Sequence, residues 1–258
     1  MRLQQLRVPS CCAAVTMTMV LLSSVSQAEI VWNLNDPNAV AVRISDVNTA
    51  GGLLVGDKLF AGFTVISSGN APYLPAATDI TLAGFQSGGD YGVTFGGAWF
   101  VRAGQTLDTA IGFSVSVSPQ PSSYLIEDST LGLQAANVSV PDAFVQIIEK
   151  VYSAPPPQAT SIAQLVVDET SDPGDEKLLD SADFKDSNHL PVAYSKVWVV
   201  KDVNLFGGVG TPGVLPVASM SQFSEAFSQT PEPQSLVLLL CGAPCLALYL
   251  WRRFLARR

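Results

Sequence analysis

The chain has 258 residues, of which only 14% are charged, and its 20 glycines and 17 prolines point to many turns rather than long helices. Six of its 14 basic residues lie at the two ends, so the stretch between Glu29 and Thr230 holds 21 acidic against 8 basic side chains. Such a surface repels phosphate backbones and anionic membranes, which excludes a nucleic-acid role.

The first 28 residues open on Arg2 and Arg7, continue through an apolar stretch from Cys11 to Leu22, and close on Ser26-Gln27-Ala28. A basic start, an apolar core and a small-x-small ending make a secretory signal peptide, cleaved between Ala28 and Glu29. The expected partners are therefore signal peptidase and the secretion machinery. The four cysteines, Cys11, Cys12, Cys241 and Cys245, all lie near the ends. That excludes a disulfide framework, a Cys-based zinc site or a thiol nucleophile from the body between them.

From Glu29 onward the sequence reads as β-strands over residues 30–35, 39–47, 59–67, 91–102, 111–118, 144–152, 162–169 and 194–206. The clearest is 111–118, where Ile111, Phe113, Val115 and Val117 share one face and Gly112, Ser114, Ser116 and Ser118 the other. Turn signals separate the strands at Gly51-Gly52, Ser87-Gly88-Gly89-Asp90, Pro119-Gln120-Pro121, Pro155-Pro156-Pro157 and Gly207-Gly208. Strands at this spacing, with no 12-residue amphipathic helix among them, predict antiparallel sheets packed as a β-sandwich over residues 29–230. The triple proline is the best candidate linker, and two half-domains are the alternative to one domain. Residues 219–230 fit a helix face through Phe223 and Phe227 or a strand face through Ser221, Phe223, Glu225 and Phe227; the strand is the preferred reading.

The last 28 residues run Pro231-Glu232-Pro233, an uncharged stretch from Leu236 to Trp251, then Arg252, Arg253, Arg257 and Arg258. Sixteen residues of helix span about 24 Å. Flanking residues and snorkelling arginines extend this towards the roughly 30 Å of a bilayer core, so a single transmembrane helix is expected over 234–251. Arginines beside a spanning segment stay on the cytoplasmic side, which leaves the body outside. The prolines keep the triplet extended and accessible above the membrane. The order of triplet, apolar helix and arginine-rich end, paired with a signal peptide, resembles the PEP-CTERM sorting signal of bacterial exosortase substrates. The resemblance covers residues 231–258 and is silent on the body. It implies an exosortase that cleaves near Pro231, Glu232 and Pro233, with a stop-transfer role for Arg252 and Arg253 that Arg257 and Arg258 reinforce. It also implies a destination at the cell surface or in the extracellular polysaccharide matrix.

Candidate chemistry in the body is thin. The one histidine, His189, sits in a loop-like stretch, and no G-x-S-x-G elbow marks a nucleophile for it. Asp168, Asp172 and Asp175 form a weak Ca²⁺ candidate whose spacing fits neither an EF-hand nor a nonapeptide repeat. Trp32, Trp99 and Trp198 can form a sugar-stacking platform, although each lies in an apolar strand where core packing is the commoner role. The reading is thus a non-enzymatic exported structural protein without a cofactor. A carbohydrate-binding module of the exopolysaccharide matrix is the alternative, and a hydrolase built around His189 stands third.

Overall fold

A computed structural model describes residues 29–119, 124–157, 159–172, 174, 176–209 and 217–231. In chain order the elements are β1 (Ile30–Trp32), β2 (Val42–Arg43), α1 (Ile44–Ala50), β3 (Leu53–Val55), β4 (Lys58–Gly69), β5 (Thr81–Ser87), β6 (Asp90–Val101) and β7 (Thr106–Val117). There follow β8 (Tyr124–Ile126), β9 (Asp128–Val138), β10 (Ala143–Tyr152), β11 (Ser161–Thr170), β12 (Leu179–Asp183), β13 (Lys196–Gly207), β14 (Ala218–Phe227) and β15 (Gln229–Pro231).

The strands form a seven-stranded sheet in the order β1-β3-β4-β7-β13-β10-β11 and a six-stranded sheet in the order β12-β9-β14-β6-β5-β2. Pairing is antiparallel except between β1 and β3. A two-stranded ribbon of β15 and β8 stands at the margin. The body is therefore the antiparallel sandwich that the alternation predicts. Its logic is plainest in β13, where Val197, Val199, Lys201, Val203 and Leu205 are buried on one side and Trp198, Val200, Asp202 and Asn204 are half-buried on the other. An aromatic layer fills the space between the sheets. Phe95 of β6 stacks on Phe223 of β14 at 4.7 Å, and Phe63 of β4 on Phe113 of β7 at 5.1 Å.

Residues 39–47 are a correction. Only Val42 and Arg43 pair as a strand, and the chain then turns into α1. Ile44 and Val47, three apart and both fully buried, supply a helical rather than an alternating face. Asn48 fixes the turn by bonding both the backbone N–H and the carbonyl of Phe63, and Gly51 closes it in the left-handed region at φ 91°. The triple proline joins β10 to β11, which pair with each other over residues 144–170, and strands from either side of it alternate within both sheets. Residues 219–230 adopt the strand alternative, as β14 and β15. Among the described residues no helix is long and apolar enough to cross a membrane; the predicted span over 234–251 lies outside them, as does the leader.

Candidate functional site

Four buried polar side chains meet at one point between the sheets. Lys201, Glu149, Glu225 and Ser129 are all fully buried. Glu149 and Lys201 face each other directly across β10 and β13 of the seven-stranded sheet. Glu225 on β14 and Ser129 on β9 reach in from the six-stranded sheet. The Lys201 ammonium contacts both carboxylates, and Ser129 Oγ lies 2.7 Å from Glu149 Oε1 and also bonds Glu225 Oε1. Three rings, Phe95, Phe113 and Phe223, surround the ammonium with centroids 5.8–6.0 Å away.

One cation cannot neutralise two carboxylates in a dry site, so one of them holds a proton. Burial and the neighbouring Glu149 charge push Glu225 well above the usual carboxylate range. For Glu149, burial acts upwards, but the Lys201 charge and the hydrogen bonds from Lys201 and Ser129 outweigh it and hold the group down. Lys201 is raised: burial lowers it, and the two carboxylates more than compensate. A serine hydroxyl has one proton, so its two carboxyl contacts are both hydrogen bonds when Glu225 donates to Ser129 and Ser129 donates to Glu149. The cluster is thus neutral, internally satisfied and sealed from solvent, which suits it to clamping the two sheets rather than meeting a substrate.

A second buried lysine sits at the margin. Lys58, at the start of β4, bonds Asp57 at 2.7 Å and Gln229 of β15 at 2.6 Å. Burial lowers its pKa despite the Asp57 carboxylate. Around it, the backbone N–H of Ser228 donates to Asp128, and Gln229, Thr230 and Pro231 pair with Ile126, Leu125 and Tyr124. The chain is therefore held to the body up to Pro231. Beside this exit lies an open cleft of about 530 Å³ lined by Leu125, Glu127, Asp128, Asp183, Phe184 and Thr230 among others. Burial and the surrounding Asp128, Asp183 and Asp90 charges raise Glu127. Among the described residues no group of three or more side chains is arranged to hold a metal ion.

The sequence candidates scatter. His189 is exposed in a turn at φ 61°, whose backbone amides at Asn188 and Leu190 donate to the Asp186 carboxylate. Asp168 pairs with Lys177 through the backbone at the end of β11, Asp172 follows in a turn, and Asp175 is outside the described residues. Pro231 ends β15, whereas Ala28, Glu232, Pro233, Arg252, Arg253, Arg257 and Arg258 lie outside the described residues. Glu29 is the first described residue and is exposed.

The three tryptophans do not share a platform. Trp99 is sealed in the core against Phe223, and Trp32 packs partly buried over Gly84. Trp198 alone stands on the outer face of the seven-stranded sheet, opposite Tyr152 of β10. Next to it runs a groove of about 250 Å³.

No family model matches the chain, and no curated protein matches it. Among solved structures it is similar to VP2 of the infectious bursal disease virus subviral particle, at 13% identity and a TM-score of 0.22, over 64% of this chain and 33% of the viral one. It is also similar to the xylan-binding module CBM15, at 15% identity and a TM-score of 0.23, over 65% of this chain and 98% of the module. The chain thus spans about a third of the viral protein's length, and overlays this loose do not bear on function.

Proposed function

We propose that this chain is an exported cell-surface or extracellular-matrix protein with a structural, non-enzymatic role, delivered by its two ends. Signal peptidase releases the body at Glu29, the carboxy-terminal helix holds it with the body outside, and an exosortase then cuts near Pro231-Glu232-Pro233. One observation supports this reading above the rest: the last strand keeps the chain tied to the sandwich as far as Pro231, the first residue of the triplet. A processing site placed there is presented at the rim of a folded domain, so cleavage releases the sandwich with its closing strand intact. The interior cluster agrees with a structural role, since its charges are spent on one another. The test is a fusion carrying an epitope after Arg258, expressed in cells with and without an active exosortase. The epitope is expected to disappear from the surface form only when the enzyme is active, and retention in both strains refutes the processing claim.

A second reading, that the body binds carbohydrate, is favoured by the outward position of Trp198 beside a groove. Binding of the body to a glycan array checks it.

A further inference from the structure

We infer that the groove beside Trp198 binds one pyranose unit of a neutral polysaccharide, an inference that rests on the second reading above and gives it a place and a ligand class. Val197 and Val199 point into the core, so β13 turns the Trp198 indole out to a side where packing between the sheets does not call for it. The Lys196 ammonium, two residues back on the same face, lies 5.1 Å from the indole centroid and steadies the ring. Val200 lines the groove and Lys196 does not, so the free side of the indole faces the groove.

The rest of the groove is cut from small residues. Gly62 occupies a bulge in β4 at φ 68°, and a Cβ there meets nothing within 4 Å, so the space above it is open. Gly112 on the neighbouring β7, paired with Thr64, has no side chain either, and Thr64 leans its hydroxyl over it. Thr64 donates towards the Gly112 carbonyl and Ser114 to the Ala61 carbonyl at 3.2 Å, which leaves both hydroxyl oxygens with acceptor capacity. Pro156, from the β10–β11 loop, also lines it.

Among the described residues no charged side chain lines this groove, so a neutral ligand suits it better than a phosphate, a carboxylate or an ammonium group. What it offers is an aromatic plate, a glycine floor and neutral acceptors, which matches the apolar C–H face and hydroxyl rim of a pyranose. Its volume is below the roughly 300–1,000 Å³ of sites that enclose a drug-sized ligand, as suits a groove gripping one unit of a chain.

The test uses the full chain in a zwitterionic, sugar-free detergent. Native gels containing neutral soluble polysaccharides of β-1,4, β-1,3 and α-1,4 linkage read binding, and tryptophan emission follows titration with the matching hexasaccharides. Wild-type protein is expected to be retarded by at least one polysaccharide and to shift its emission. Trp198→Ala is expected to weaken binding by about tenfold or more and to lose the shift. Gly62→Asn keeps the indole, tolerates positive φ and fills the open space, so it too is expected to weaken binding by about tenfold or more. Unchanged circular dichroism and Tm confirm that both variants fold. Wild-type silence towards every polysaccharide overturns both the groove and the carbohydrate reading. Binding that survives both substitutions within about twofold overturns the groove and leaves the carbohydrate reading standing. Retardation by a proline-rich peptide in place of the glycans overturns the ligand class, since aromatic grooves also take such peptides.

Discussion

Two lysines are buried completely in this sandwich, and they respond to burial in opposite ways. Lys201, between the sheets, has two carboxylates, a serine and three aromatic rings around it, and its charge is held more firmly than in water. Lys58, at the margin, has a half-solvated aspartate and an amide, and burial weakens its hold on the proton. Desolvation is common to both; the number and depth of the partners decide the outcome. The first arrangement fixes the sheets to each other. The second fixes Gln229 of β15 to the start of β4.

The contrast can be broken at its strongest point. Lys201→Met leaves two carboxylates facing each other without a cation, and at pH 7 the variant is expected to lose about 3–5 kcal/mol by chemical denaturation. That loss is expected to shrink towards pH 5, where protonating the second carboxyl costs less. Glu149→Gln with Glu225→Gln strands the ammonium instead; its loss is of similar size and does not shrink on acidification. A loss below about 1 kcal/mol in both variants would show that the cluster does not clamp the sheets.

Glu225→Gln alone sharpens the same comparison. The amide reproduces the protonated acid, donating to Ser129 and accepting from Lys201. Glu225 is raised above its unfolded value near 4.5, so folding takes up a proton in the window above that pH. Its contribution is fully present below pH 4.5 and declines as pH rises, by about 1.4 kcal/mol per unit, until the folded group ionises. Glu149 is lowered, and its contribution is lost only on acidification below its unfolded value. Wild-type stability is therefore expected to fall between pH 5 and pH 8, and the Gln variant to be flatter and at least as stable at pH 8. Equal slopes in thermal melts across that range would remove the proton from Glu225.

Smaller effects are expected at the margin. Lys58→Met should change global stability by no more than about 1 kcal/mol, because desolvation offsets much of what its partners return. Amide exchange at residues 229–230 should nevertheless quicken, as β15 loses the bond from Lys58 to Gln229. Smallest of all, Trp198→Ala should move stability by less than about 0.5 kcal/mol, since the indole sits on the outer face. A large loss there would mean that the residue is a packing element.

Much of this contrast is visible in the sequence once strand parity is read. Val145, Ile147, Glu149 and Val151 share one face of β10, and Val197, Val199, Lys201, Val203 and Leu205 share one face of β13. In β14, Phe223, Glu225 and Phe227 do the same. Each apolar face is interrupted by one charge, and the signs are complementary, which is a legible sign of an interior ionic cluster. Reading the strands individually hides it, because what joins them is sheet order, and β13 reaches β10 across more than 40 residues. Ser129 is harder to see, since β9 alternates weakly with a serine at a buried position and Gly132 within the strand. The helix over residues 44–50 is missed because Ala39, Ala41 and Val42 mimic a strand before the buried pair at 44 and 47 takes over. The groove beside Trp198 depends on a bulge and on a loop folding back, neither of which periodicity reports. The strand over residues 219–227 is legible because Phe223, Glu225 and Phe227 fall on one face, whereas the break at Ser228, after which β15 pairs with β8 in a separate ribbon, leaves no mark in the alternation.

The delivery account rests most directly on the termini of the mature protein. Intact mass spectrometry of the surface-released form is expected to give a chain that begins at Glu29 and ends near Pro231-Glu232-Pro233 in cells with an active exosortase, and a chain that still ends at Arg258 in cells lacking it. A released form that retains Arg258 in both backgrounds would contradict it.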